Sequence, residues 1–397
     1  MKKQIVKAIM SAGVIAASML ALAGCATKSA TSKGNTAGNT IKIGVNMELS
    51  GAVAGYGEQQ KQGIELAVKQ INAAGGIKVG NTKKKITAVY RDNKSSTSGA
   101  ASVAAQLANT DKVVAIVGPA TTNDGTASIP NVTKAAVPMV SPSATDPNFT
   151  LQKNGSVQPY VFRACFNNDF QGDHAAIFAN DTLKAKNVAI IADNSTDYGT
   201  GLAKAFKKKF KGNIVTTQYY QSGDKDFNAM LTTIKSKKID AIYAPGYYSE
   251  LGLVIKQARQ SGIKVPFIGA DGMADPKLAQ IAGAANATDI YYTTPFSMLS
   301  ANSSKLVKNF MTSFKKQYQT EAPTFSALAY DSVYMIKQAI EDQKAADSAS
   351  IAKGLAKIKK MPAVTGTTTI DSHHNPEKPL AVEQLTQGKI AKVYTVK

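Results

Sequence analysis

The chain has 397 residues, 44% hydrophobic and 19% charged, with 47 Lys and Arg against 27 Asp and Glu, a formal net charge of +20. That length suffices for two domains with substantial cores. The apolar share fits a soluble globular body, and no long apolar segment after residue 22 offers a membrane span. The lysines are scattered over polar helix faces, as in Lys204, Lys207, Lys208, Lys209 and Lys211, which argues against a nucleic-acid partner. The charge points instead to anionic lipid headgroups or wall polymers.

Lys2, Lys3 and Lys7 precede an apolar run from Ala8 to Leu22, closed by Leu22-Ala23-Gly24-Cys25. The layout is that of an export signal over residues 1–24. Its close resembles the lipobox of bacterial lipoproteins. The resemblance implies cleavage before Cys25 and a diacylglyceryl group on its thiol. The body would then sit outside the cell, lipid-anchored to the outer face of the bacterial cytoplasmic membrane. Two fatty chains hold well, because each buried methylene adds roughly 0.8 kcal/mol. Cys165 is the one cysteine left, so no internal disulfide is expected, and it reads as a small buried hydrophobe. Residues 25–39 are small and polar, a flexible tether, and the regular core begins at Ile41.

From there strands and helices alternate. Strands are predicted at Ile41–Met47, Ile86–Tyr90, Val113–Val117, Val137–Val140, Tyr160–Arg163, Val188–Ala192, Ile214–Tyr219, Ala241–Ala244 and Val265–Ile268. Helices are predicted at Gln59–Asn72, Ser98–Asn109, Asp169–Thr182, Gly199–Phe210, Phe227–Ser236, Glu250–Gln260, Ser303–Tyr318 and Phe325–Ala339. The pattern gives an α/β fold with mostly parallel, doubly covered sheets. Two such units are needed, with breaks near Val161–Asn167 and Tyr291–Phe296.

Ligands of open parallel sheets sit beyond the carboxyl ends of the strands. Four polar loops lie there. Ser50–Gly57 is glycine-rich, includes Tyr56, and fits neither the dinucleotide fingerprint nor the phosphate loop. Gly118–Thr122 and Ser141–Asp146 offer hydroxyls and backbone N–H groups with no cation, enough for a small carboxylate or for helix caps alone. Gly269–Gly272 carries Asp271, a partner for an ammonium or a simple turn residue. Tyr198 and Tyr247 follow two further strands as candidate lid surfaces. Catalysis has little to build on. Ser141 and Ser143 lack a nucleophile elbow, His373-His374 beside Asp371 read as solvated, and no cysteine cluster suggests a metal. No cofactor is expected.

Taken together, SGAVAGYGEQQKQGIELAVKQINAAGG, GPATT, SPSATDP, DYGTGLAKAF and IYAPGYYSELGLVIKQARQSGIKVPFIGADG resemble the leucine/isoleucine/valine-binding proteins of ABC transporters, from about Ile41 to Val396. The resemblance implies a type I periplasmic-binding-protein fold: two doubly wound parallel-sheet lobes joined by three crossing segments. Lobe I would take residues 40–162 and 296–379, and lobe II residues 163–295 and 380–397. It implies a monomer that captures a free L-amino acid, a branched aliphatic one, and passes it to ABC permease subunits. It also implies roles: Thr122 and Thr145 on the α-carboxylate, the Ser143 carbonyl and Asp271 on the ammonium, and Tyr56, Tyr198 and Tyr247 around the pocket. The best-known members carry Ser at the position of Thr122 and Glu at that of Asp271. Another small amino acid or polar solute, or a lipid-anchored sensor of the same fold, are the competing readings.

Overall fold

The computed structural model describes residues 34–299 and 304–396. The export signal and Cys25 lie outside them. Regular structure opens with β1 (Ile41–Met47); a short hairpin, β2 (Ile77–Val79) and β3 (Thr82–Lys84), stands apart. β4 (Ile86–Asp92), β5 (Ala115–Val117), β6 (Met139–Ser141) and β7 (Val161–Arg163) join β1 in a wholly parallel sheet of order β4-β1-β5-β6-β7. Ile41, Ile43, Val45 and Met47 of β1 are fully buried, as a strand covered on both faces requires. α1 (Ala54–Ala73), α2 (Thr97–Asn109) and α3 (Thr122–Ala135) pack around this first sheet.

The chain then leaves. α4 (Asn168–Asp181) packs on α5 (Asp197–Lys209), beside a second sheet. That sheet contains β8 (Asn187–Asp193), β9 (Asn213–Tyr220), β10 (Ala241–Tyr243), β11 (Phe267–Gly269) and β12 (Ile290–Thr294), all parallel. α6 (Asn228–Lys235), α7 (Tyr248–Gln260) and α8 (Lys277–Ala282) complete the crossovers. After β12 the chain returns: α9 (Lys305–Tyr318) and α10 (Thr324–Gln343) pack on α1, and α11 (Ser348–Leu355) packs on α10. A third crossing delivers β13 (Ala381–Thr386) and β14 (Lys389–Thr395), an antiparallel hairpin on the edge of the second sheet, whose order is β14-β13-β12-β11-β10-β8-β9. Two parallel-sheet lobes are therefore joined by three crossing segments, within one compact unit that begins at Gly34.

A buried ion pair sits just before the third crossing. Lys378 Nζ lies 3.9 Å from Asp331 Oδ2, with both side chains nearly inaccessible. It donates to Thr365 Oγ1 and Thr368 Oγ1, both at 2.7 Å. Asp331 also accepts the backbone N–H groups of Val364 and Thr365 at 2.8 Å. Every polar atom of the pair thus has a partner, as burial of charge demands.

The predicted strands fall on β1, β4–β7 and β8–β11. Among the described residues β2, β3, α3, α8, β12, α11, β13 and β14 have no sequence-predicted counterpart. α3 is rich in Thr and Asn and contains Pro130; it is helical because Ser128 and Val132 bury against α2, so tertiary packing overrides poor propensity. β12, and the β13–β14 hairpin with its alternating burial, lie outside the strands predicted from local pattern. Cys165 is fully buried, its thiol pushed up to about 12 by burial, and it packs as a hydrophobe. His374 stacks on Phe162 at 4.0 Å and contacts the Val161 carbonyl through Nδ1. No group of side chains among the described residues has the makings of a metal site.

Candidate functional site

The carboxyl ends of the two sheets face each other across a cleft. The first lobe supplies Tyr56, Ala120, Thr121, Thr122, Ser143 and Phe325; the second supplies Tyr198, Tyr247, Asp271 and Gly272. Six of the seven residues predicted for the site line it. Thr145 does not reach the lining.

One wall is a set of donors. Thr122 is the first residue of α3, where backbone N–H groups have no helical partner and the helix end carries partial positive charge. Its Oγ1 accepts the N–H of Thr145 at 3.1 Å and of Asp146 at 3.4 Å. The hydroxyl proton is therefore free to donate. Thr145 is fully buried, and its hydroxyl has no hydrogen-bond partner among the described residues. The Ser143 hydroxyl is committed: it donates to the Ala120 carbonyl and accepts from Gln60 Nε2, each at 2.7 Å. Its contribution to a solute is limited to the backbone.

Glu48 holds this wall in place. It directly follows β1, is fully buried, and accepts the N–H groups of Ala120 and Thr121 at 3.0 Å and the Thr121 hydroxyl at 3.1 Å. Burial, and then the nearby Glu48 charge, push the Asp124 carboxyl of α3 up to about 8. A carboxyl raised this way binds its proton more tightly folded than unfolded. Its contribution to stability therefore falls as pH climbs from the ordinary carboxylate range toward 8. Above that, Asp124 adds a second negative charge beside the donor wall. Anionic solutes and carboxylates should bind progressively more weakly between pH 7 and 9, with Asp124→Asn flattening the change in calorimetric titrations.

The opposite wall is acidic. Asp271 starts a single 3-10 turn after β11. Its Oδ1 accepts the Tyr198 hydroxyl at 2.7 Å, and its N–H donates to Gln171 Oε1 at 3.2 Å. Burial pushes the carboxyl up to about 6 against those hydrogen bonds, which leaves it mostly ionised at neutral pH. Gly272 donates its N–H to the Tyr198 oxygen at 2.8 Å. A Cβ on Gly272 would lie 2.4 Å from the Gly246 carbonyl, so only glycine lets the turn sit this close.

Aromatic rings fill the space between. Tyr198 stacks on Tyr247 with centroids 5.0 Å apart, and Tyr56 meets Tyr247 edge-on at 5.7 Å and Phe325 at 4.8 Å. The residues that sequence reasoning missed are Glu48, Ala120, Thr121, Gly272 and Phe325. The flanking Thr121 and Gly272 lie in loops already singled out. The signal for Phe325 was an aromatic ring one residue into α10, just after Pro323.

Hydrogen bonds run directly from lobe to lobe around the cavity, among them the Tyr248 N–H donating to the Tyr56 oxygen at 3.3 Å and the Tyr248 hydroxyl to the Ala52 carbonyl at 3.4 Å. Tyr56 donates its hydroxyl to the Gly272 carbonyl at 2.5 Å, and Gly55 donates its N–H to the Tyr248 oxygen at 2.9 Å. Gln59 Nε2 donates to Asp275 Oδ2 at 2.8 Å, and the Asp197 N–H donates to Asn123 Oδ1 at 3.3 Å. Tyr56→Phe removes two of them and keeps the ring. At about 0.5–1.5 kcal/mol per bond, solute affinity should fall about fivefold or more, and small-angle scattering should show a larger open fraction.

Comparison with known proteins places this geometry in context. The family model described as periplasmic binding protein matches residues 40–389. A Leu/Ile/Val-binding protein homolog from Brucella melitensis is 33% identical over 333 residues, 83% of this chain and 86% of the relative. A leucine-, isoleucine-, valine-, threonine- and alanine-binding protein from Pseudomonas aeruginosa is 30% identical over 80% of this chain and 83% of its own. Among solved structures, the branched-chain amino acid transporter substrate binding protein LivJ from Streptococcus pneumoniae, in complex with isoleucine, superposes with a TM-score of 0.85. It is 42% identical, over 90% of this chain and 99% of that one. Fold and relationship are those of a transport receptor and not of a catalyst. The chain belongs to the periplasmic binding protein family, as an extracytoplasmic solute-binding protein of the type I fold related to the Leu/Ile/Val-binding proteins of ABC transporters.

Proposed function

We propose that the cleft captures a free L-amino acid with a branched aliphatic side chain and delivers it to an ABC permease, the protein being held at the membrane through lipidated Cys25. The observation that carries this reading is the polarity of the cavity: donors at Thr122 on one wall, the Asp271 carboxylate on the other, aromatic rings between. That is the complement of a zwitterion with an apolar substituent. A desolvated charge left unpaired costs several kcal/mol. Charge-assisted bonds offset the loss at both ends: the Thr122 hydroxyl at the carboxylate, Asp271 and the Ser143 carbonyl at the ammonium. Tyr56, Tyr198 and Tyr247 bury the side chain, with a gain of roughly 1.5–3 kcal/mol.

A second reading has its own support. The Pseudomonas aeruginosa relative is named for threonine and alanine besides the branched aliphatics. A receptor for small neutral amino acids in general fits that relationship. Isothermal titration of ligand-stripped protein with leucine, isoleucine, valine, alanine, threonine and leucinamide separates the two. The leading reading expects tight binding confined to the three branched aliphatics and at least tenfold weaker binding of the amide. Alanine or threonine binding as tightly as leucine favours the second, and an amide equal to its acid removes the carboxylate role of Thr122.

A further inference from the structure

The second lobe is electrically polarised along its strands. Its carboxyl-end loops, which face the cavity, carry Asp193, Asp197, Glu250, Asp271 and Asp275. The opposite edge, where the strands begin, is basic. Lys184 and Lys186 precede β8, Lys208 and Lys211 precede β9, Lys237 and Lys238 precede β10, and Lys264 precedes β11; all are exposed. β11, β10, β8 and β9 are consecutive neighbours in the sheet. With strands about 4.8 Å apart, these four turns share an edge only roughly 15 Å long. None of these lysines belongs to an ion pair among the described residues. Asp240, the acid between them, spends its Oδ2 on the N–H groups of Lys186 and Asn187, both at 2.8 Å.

We infer that this far edge of the second lobe is a docking face for an anionic phosphodiester polymer outside the cell. Seven exposed lysines against three exposed acids, Asp181, Asp240 and Asp289, leave this edge net positive, which raises the local concentration of polyanions and binds them by releasing counterions. The face is open and its charges are spread over four turns, which suits a chain with repeated phosphates better than a single small anion. An extended polymer reaches this edge in any orientation of the molecule, which a flat lipid surface does not. Both sheets direct their carboxyl ends at the cavity, so their far edges are opposite poles of the compact unit. Residue 35 sits at the first lobe's pole: Asn35 Nδ2 donates to the Ala108 and Val113 carbonyls at 2.8 Å, and Thr36 bridges Asp347. The basic edge therefore lies at the other pole, clear of the start of the described chain.

The test is binding of soluble poly(glycerol phosphate) by residues 34–397, which form the compact unit, with phosphatidylglycerol vesicles as the comparison arm. The unaltered protein should bind the polymer, with affinity dropping at least tenfold between about 50 and 200 mM salt. Combined Lys186→Glu, Lys208→Glu, Lys211→Glu and Lys238→Glu should weaken polymer binding more than tenfold. A control of equal charge change on the first lobe, Lys305→Glu, Lys308→Glu, Lys316→Glu and Lys353→Glu, should weaken it less than threefold. Both variants should keep amino-acid affinity, which shows that they fold. Equal losses in the two variants, no polymer binding, or capture by vesicles with the polymer inert would each overturn the inference.

Discussion

Asp271→Ala should weaken amino-acid binding by more than tenfold, the largest effect expected from any single change in the cleft. The carboxylate is fully buried among aromatic rings, with one oxygen already bonded to the Tyr198 hydroxyl. An ammonium bound in that setting would have lost its water, and on the proposed assignment the carboxylate would replace it. Hydrogen bonds to charged groups contribute about 1.5–3 kcal/mol, against roughly half that for neutral ones. Tenfold in affinity is about 1.4 kcal/mol, just below that range, so a loss above tenfold follows. Asp271→Asn refines the result, since it keeps the shape and the Tyr198 contact and loses only the charge. Calorimetry on both variants checks the assignment, and affinity unchanged in Asp271→Ala would sink it. Because burial pushes Asp271 up to about 6, affinity in the unaltered protein should also decline as pH drops below that value. The carboxyl takes up a proton there and no longer balances the ammonium.

Lys378→Met should cost about 3–5 kcal/mol of stability, because it strands the Asp331 carboxylate in the core without its counter-charge. The two hydroxyls now bonded to Lys378 Nζ, those of Thr365 and Thr368, lose a donor as well. Guanidinium unfolding measures the loss. The double variant Asp331→Asn with Lys378→Met should recover part of it, since removing both charges also removes the stranded one. A loss under 1 kcal/mol in the single variant would mean that the pair is not sealed from water. The position gives the pair a second importance. Lys378 stands two residues before Leu380, where the chain crosses for the third time into β13, so the same change frees one strut of the hinge.

The sheets were legible because their strands carry their own signature. Runs such as Ile41–Met47 and Val188–Ala192 are apolar on both faces, and only doubly covered parallel strands need that. Loop chemistry at the ends of those runs then located six of the lining residues. Connectivity was not legible locally. Nothing in residues 296–305 marks a return to the first lobe, and only resemblance over the whole chain suggested it. α3 was hidden because its Thr, Asn and Pro130 favour other conformations, and the helix exists through contacts with α2 that are remote in sequence. Glu48 was hidden for a related reason: an acid after a strand looks like ordinary loop polarity until folding brings Ala120 and Thr121 onto it.

The bonds that bridge the lobes set a clock as well as a shape. Tyr56–Gly272, Tyr56–Tyr248, Gly55–Tyr248, Ala52–Tyr248, Gln59–Asp275 and Asn123–Asp197 all have to part before anything leaves the cavity. Each time the cleft opens it forfeits them together, whatever solute it carries, so escape is slow while entry into an open cleft is not. Differences in affinity among related complexes reside mostly in the off-rate. Here part of that off-rate is written into lobe-to-lobe contacts, such as Gln59–Asp275 and Asn123–Asp197, outside the cavity lining. On the proposed delivery to a permease, prying the lobes apart would shorten the residence of every cargo by a similar factor, and unloading would need no recognition of which one is inside.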